Sequence, residues 1–187
     1  SQGPPTEAST DRPKDSEGSG DEGIPVIVGL GASAGGLPAL QALFEALPRD
    51  TGLAFVVIQH LAPDHESMLS SILARHTELT VEEAEEGRRA EADHIYIIPP
   101  DRDLSMQDGV LHLEKAEEPH TRRLPVDRFF RALARDRANR GIGVVLSGSG
   151  SDGTLGLKAI KEEGGITFAQ DETSAQHSDM PRNAAHG

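Results

Sequence analysis

Between residues 24 and 58 the apolar positions change period twice. Ile24, Val26, Ile27, Val28 and Leu30 form a short, β-branched run, the pattern of a strand covered on both faces. Leu37, Leu40, Leu43, Phe44 and Leu47 then recur at helical spacing. Pro38 suits the first helical turn and Pro48 closes the element. Leu53 to Ile58 is a second buried run, ending on Gln59-His60, and Pro63-Asp64 opens a helix with Met68, Leu69, Ile72 and Leu73 on one face.

Glu78 to Asp93 is acidic and weakly patterned, and reads as a solvated stretch. His94 to Ile98 predicts a strand stopped by Pro99-Pro100. Asp103 to Gln107 and Val110 to Lys115 flank Asp108-Gly109, a strong two-residue hairpin signal. Pro125 opens a helix that turns Val126, Phe129, Phe130 and Leu133 inward. Gly141 to Ser147 is a further buried strand, running into a glycine loop and a helix that ends at Glu163 before Gly164-Gly165. Ile166 to Ala169 is a last short strand, and residues 170–187 read as polar and irregular, with Met180-Pro181-Arg182 their one distinctive element. The alternation predicts an α/β fold: a doubly wound, mostly parallel, Rossmann-like sheet with an antiparallel hairpin excursion.

Composition divides the chain. Residues 1–23 are Pro, Gly, Ser and acid with almost nothing to bury, the signature of a disordered linker or tail, so residues 24–187 are expected to form the domain. A chain that begins at Ser1 reads as a piece of a longer protein. Lys plus Arg number 18 against 31 Asp plus Glu, a net charge of −13 that opposes binding to nucleic-acid phosphates. With no cysteine, disulfides and thiolate metal sites are ruled out. No apolar run reaches the length of a membrane span and no signal peptide is visible, so a cytoplasmic location is expected.

Three predicted strands each end near a residue that could join a hydrolytic triad: Ser33, His60 and Asp152. Parallel strands bring their carboxyl ends to one rim, where an oxygen nucleophile, an imidazole base and an orienting carboxylate can converge. Each has a plainer explanation. Gly31-Ala32-Ser33-Ala34-Gly35 fits G-x-S-x-G, but a serine in a glycine turn is most often a cap or a phosphate ligand. Gly29-x-Gly31-x-x-Ala34 also fits a dinucleotide fingerprint, although the second strand ends on Gln59-His60 where that fingerprint wants an acid. A lone histidine at a strand end is usually structural, and an aspartate before a helix is usually an N-cap. Their shared topological position favours hydrolysis; the alternatives are a nucleotide- or phosphate-binding domain and a catalytically inactive interaction module. His65, His76, His94, His112, His120, His177 and His186 show no paired ligand spacing, and Asp64 and Asp103 read as cap and loop residues.

At these residues the chain resembles the catalytic domain of the CheB family, the chemotaxis protein-glutamate methylesterases. The resemblance lies in VIVGLGASAGG, VVIQH, IYIIPP, VVLSGSGSDGTLG and MPRNA and covers roughly residues 24 to 187. It implies a carboxylic ester hydrolase that removes methyl groups from chemoreceptor glutamates, in some members also deamidating receptor glutamines. By the same resemblance Ser33 is the nucleophile, His60 the base and then acid, and Asp152 the orienting carboxylate, with no metal or organic cofactor. Its partners would be methyl-accepting chemoreceptors, with no nucleic acid and no membrane insertion. Two positions depart from the family: Ala34 where threonine is common, and Ser149 where the loop usually reads Gly-Met-Gly. A receiver domain usually precedes this domain, and IIPPDRDL and QHLAPDHESML look closer to versions fused to a receptor methyltransferase. The family would also be expected to continue past Gly187 into a final helical segment.

Overall fold

The computed structural model describes residues 23–59, 68–116 and 123–187. His60, the helix start at Pro63-Asp64, His65, His120 and the tail through residue 22 lie outside them. Six parallel strands form the main sheet: β1 (Val26–Ala32), β2 (Leu53–Gln59), β3 (Thr80–Glu83), β4 (His94–Ile97), β7 (Gly141–Val145) and β8 (Ile166–Ala169). Their spatial order is β3-β4-β2-β1-β7-β8. Strands β5 (Arg102–Gln107) and β6 (Val110–Lys115) pair separately as an antiparallel hairpin. The helices are α1 (Gly36–Ala46), α2 (Leu69–Leu73), α3 (Pro125–Arg137), α4 (Thr154–Glu162) and α5 (Asp179–His186). Among the described residues no helix is long and apolar enough to cross a membrane.

Both faces of the sheet are covered, which is why its inner strands read as continuous apolar runs. Val28, Leu30, Phe55 and Val57 pack with Leu40 and Phe44 of α1 and Leu69 and Leu73 of α2. Ile27, Val56 and Ile58 point the other way, into a core with Val126, Phe129, Phe130 and Leu133 of α3 and Leu157 and Ile160 of α4. Gly29 and Gly31 lie inside β1, under α3. A Cβ at Gly31 would come within 2.3 Å of Val126, and one at Gly29 within 2.8 Å of Phe130. These glycines let a helix lie close on the sheet. They do not form the turn that a dinucleotide fingerprint requires of its first glycine.

The hairpin turns where Asp108-Gly109 indicates. Both residues have positive φ, 52° and 70°, as a type I′ turn demands. Gly164 ends α4 in the left-handed region, with Gly165 N–H donating to Ile160 and Gly164 N–H to Lys161, a full Schellman motif.

Four expectations need correction. The stretch around Glu78 to Asp93 contains β3, an edge strand beside β4, where only Val81 is apolar among Thr80, Glu82 and Glu83. Residues 179–186 form α5, anchored by the buried Met180 and Pro181. Asp103 is a buried β5 residue, 3.0 Å from Arg123 and 3.2 Å from Arg128, and belongs to no loop. Met68 precedes α2 and is 55% exposed, so it does not share the inward face of Leu69 and Leu73.

Candidate functional site

The chain leaves β1 for β2 on one side, goes out to the edge strand β3, comes back to β4 beside β2, then crosses to β7 on the other side of β1. The carboxyl ends of β1 and β7 therefore flank the topological switch point, where open α/β sheets bind their ligands. Ser33 is the first residue past β1 and is half-buried. Its carbonyl accepts the Gly36 N–H at 2.9 Å across a tight turn, and Gly35 sits at φ 70°, ψ 10°. That is the third residue of a type II turn, which strains any side chain with a Cβ. A Cβ there would also meet Gln176 at 2.7 Å and Ser147 Oγ at 2.9 Å.

Beyond β7, residues 147–153 form a loop laid against this turn. Ser33 N–H donates to the Ser147 carbonyl at 3.0 Å, and a Cβ at Gly148 would lie 2.9 Å from Ser33 Cβ and 2.1 Å from Met180 Sδ. The fully buried Ser147 hydroxyl donates to the Ala34 carbonyl and accepts the His177 N–H, both at 2.9 Å. Gln170 Oε1 accepts the Ser147 N–H at 2.9 Å. Gly148 N–H donates to the His177 carbonyl, and Met180 N–H to the Gly148 carbonyl. The segment from Gln170 to Met180 thus straps both glycine loops together.

Asp152 occupies the same loop and is 7% exposed. Its Oδ2 accepts the Val126 N–H at 3.1 Å and its Oδ1 the Asp127 N–H at 2.8 Å, both in the first turn of α3. The structure thus brings Ser33 and the loop of Asp152 to neighbouring strand ends, while His60, one residue past β2, lies outside the described residues. Gln59, its neighbour in sequence, pairs with Ala32 in register and is 6% exposed; its buried Oε1 has no hydrogen-bond partner among the described residues.

Sequence reasoning did not single out Ser147 or Asp127, and took Gln59 only as part of the strand end that argues against a dinucleotide. Ser147 carried a signal in hindsight: it is the polar end of an otherwise apolar strand run, next to a glycine. Asp127 is buried, and its carboxyl is pushed above the usual aspartate range by that burial and then by the charge of Asp152. A cleft of about 670 Å³ between the hairpin and α3, lined in part by Glu86, His112, Arg135 and Asp136, includes neither Ser33 nor Asp152. Among the described residues no His, Asp and Glu cluster could hold a metal ion.

These features define a doubly wound α/β domain whose candidate site is a serine turn and an aspartate loop at the switch point. A family model for the CheB methylesterase matches residues 28–187. The chain belongs to the CheB methylesterase family. It is 39% identical to protein-glutamate methylesterase/protein-glutamine glutaminase 2 of Anaeromyxobacter dehalogenans over 84% of this chain and 46% of that protein. It is 32% identical to a putative protein-glutamate methylesterase/protein-glutamine glutaminase of Leptospira interrogans, over 83% of this chain and 81% of that one. The crystal structure of the Thermotoga maritima CheB methylesterase catalytic domain superposes with a TM-score of 0.79 at 31% identity, covering 87% of this chain and 88% of that one. The chain spans about half the length of the first two curated relatives it matches.

Proposed function

We propose that this domain is a serine hydrolase that demethylates glutamate γ-methyl esters on chemoreceptors or receptor-like proteins, with glutamine deamidation as a second reaction. The packing of the Ser33 turn against the loop of Asp152 at the switch point carries this reading. The activities for which its relatives are named support it. Ser33 Oγ attacks the γ-carbonyl carbon of the methylated glutamate while His60 takes the hydroxyl proton, and Asp152 orients the imidazole. Backbone amides at Ala34 and Ser149 hold the developing oxyanion, each contributing on the order of 3 kcal/mol.

The ester C–O bond breaks, and His60 returns its proton to the departing methoxide, giving methanol. Water deprotonated by His60 then attacks the acyl-enzyme, releasing a glutamate carboxylate and the free Ser33 hydroxyl. With a glutamine substrate the first leaving group is ammonia. The substitutions at Ala34 and Ser149 leave these backbone donors in place, since an amide N–H does not depend on its side chain. In the parent protein a receiver or methyltransferase domain accompanies this one, and the domain works in the cytoplasm.

Ser33→Ala should lower methanol release from a γ-methyl-glutamyl peptide by about a thousandfold or more. A fluorophosphonate probe should label Ser33 in the wild-type protein. Near-native turnover in the variant, or labelling elsewhere only, would refute the assignment.

A further inference from the structure

Neither α3 nor α4 caps itself. The residue before α3 is Leu124 and the residue before α4 is Gly153, and neither supplies a side-chain hydrogen bond to its own helix. Each helix is capped by the other's aspartate. Asp152, which precedes α4, accepts the Val126 and Asp127 amides of α3. Asp127, in the first turn of α3, accepts the Gly156 N–H of α4 through Oδ1 at 2.6 Å.

Gly156 makes this crossing possible. A Cβ there would lie 2.5 Å from Phe130 Cβ and 3.1 Å from Asp127 Cα, so the two first turns touch through bare backbone. The result is a closed ring. The Asp152 carboxylate holds the Asp127 N–H, and the Asp127 carboxylate holds the Gly156 N–H. Three residues, Gly153 to Leu155, lead from Gly156 back to Asp152.

A plain cap would not need this chemistry. Serine, threonine or asparagine caps a helix about as well as aspartate and brings no buried charge. Asp127 is 5% exposed and faces a second carboxylate, so the molecule tolerates a costly group here. Of the charged groups around it, Asp152 repels its ionised form and Arg131 attracts it. What the ring accomplishes is to fix Asp152 from both ends: its oxygens by α3 amides, and the loop that carries it by the grip of Asp127 on α4.

We propose that Asp127 is a positioning residue of the hydrolytic site, holding the Asp152 carboxylate at the angle from which it orients the catalytic imidazole. This deepens the proposed hydrolase reading and rests on it. Asp127 touches no reacting atom; it acts through Asp152.

The test compares D127A, D127N, D152A and the double variant D127A/D152A. It measures methanol release from a γ-methyl-glutamyl peptide and fluorophosphonate labelling of Ser33. D127A should lower kcat by about thirty- to a hundredfold with KM within about twofold, the size expected when a reacting group is misplaced by a fraction of a bond length. D127N, whose carbonyl oxygen still accepts from Gly156, should recover to within about threefold of wild type. The double variant should be no slower than D152A alone, because residues acting through one another do not add. Native kcat in folded D127A, or a further loss when D127A is added to D152A, overturns the proposal. Where D127A does not fold, D127S replaces it; its side chain is too short to span to Gly156, so native kcat there is equally fatal. The two readings fail separately. Native kcat in D152A overturns the triad and this inference with it, whereas a crippled D152A beside a native D127A overturns the inference alone.

Discussion

At the residue scale the site depends on positions where a side chain is missing. Gly148 touches Met180 Sδ on one side and Ser33 Cβ on the other, with no room for a methyl group. Gly148→Ala must displace a buried methionine or the serine itself, so it should cost about 1–3 kcal/mol in urea unfolding. It should also lower turnover by more than the stability loss explains, since one of the two yielding neighbours is the proposed nucleophile. A variant that unfolds earlier yet turns over normally when folded would show that Met180 alone gives way. Sequence pattern marked Ser33 and Asp152 because glycine turns after buried strands are visible in one dimension. It passed over Ser147, whose role comes from a hydrogen bond to Ala34, a residue of a different loop. Such a pairing leaves no periodicity to read.

Elements with strong patterns were legible in the sequence and those that depend on tertiary neighbours were not. Val126, Phe129, Phe130 and Leu133 line one side of α3, and all four are fully buried as their spacing predicts. By contrast β3 takes its strand character from its neighbour β4, and α5 from the burial of Met180 and Pro181. The hairpin shows how a readable turn is reinforced by an unreadable partner. Asp136 of α3 accepts the amides of Asp108 and Gly109 across 28 and 27 residues. Asp136→Ala should therefore cost about 1–3 kcal/mol, chiefly the penalty for leaving the buried Gly109 amide without its acceptor, seen as an earlier denaturation midpoint.

The paired helices carry a pH signature of their own. The folded value of Asp127 lies above the ordinary 3.8, so the native state retains a proton that the unfolded chain releases. The cost of burying the charge is absent below the unfolded value and complete above the folded one, and wild-type stability falls as pH rises between them. Asp127→Asn does not ionise, so its stability relative to wild type should climb through that window and level off above it. A difference that stays constant from about pH 3 to pH 7 would contradict this.

Over the whole molecule, the two edges of the sheet differ. On β3 the outer edge carries Glu82 and Glu83, charges that discourage pairing with another strand. On β8 it carries Ile166 and Phe168, 53% and 56% exposed, beside β7 as its one strand partner among the described residues. Phe168→Lys should reduce concentration-dependent aggregation of this chain, measured by light scattering; no change would place the sticky surface elsewhere. The switch point also has a temporal side. Ala34 and Ser147 are 113 residues apart, and β1 cannot find its β7 neighbour until residues 141–145 have left the ribosome, after β2, β3, β4 and the hairpin. Closing so long a loop is slow. An emerging chain therefore exposes one flank of its central strand until β7 follows, and the pocket cannot form before then. A chaperone that shields that flank should raise the yield of active protein more than it alters the stability of the finished fold.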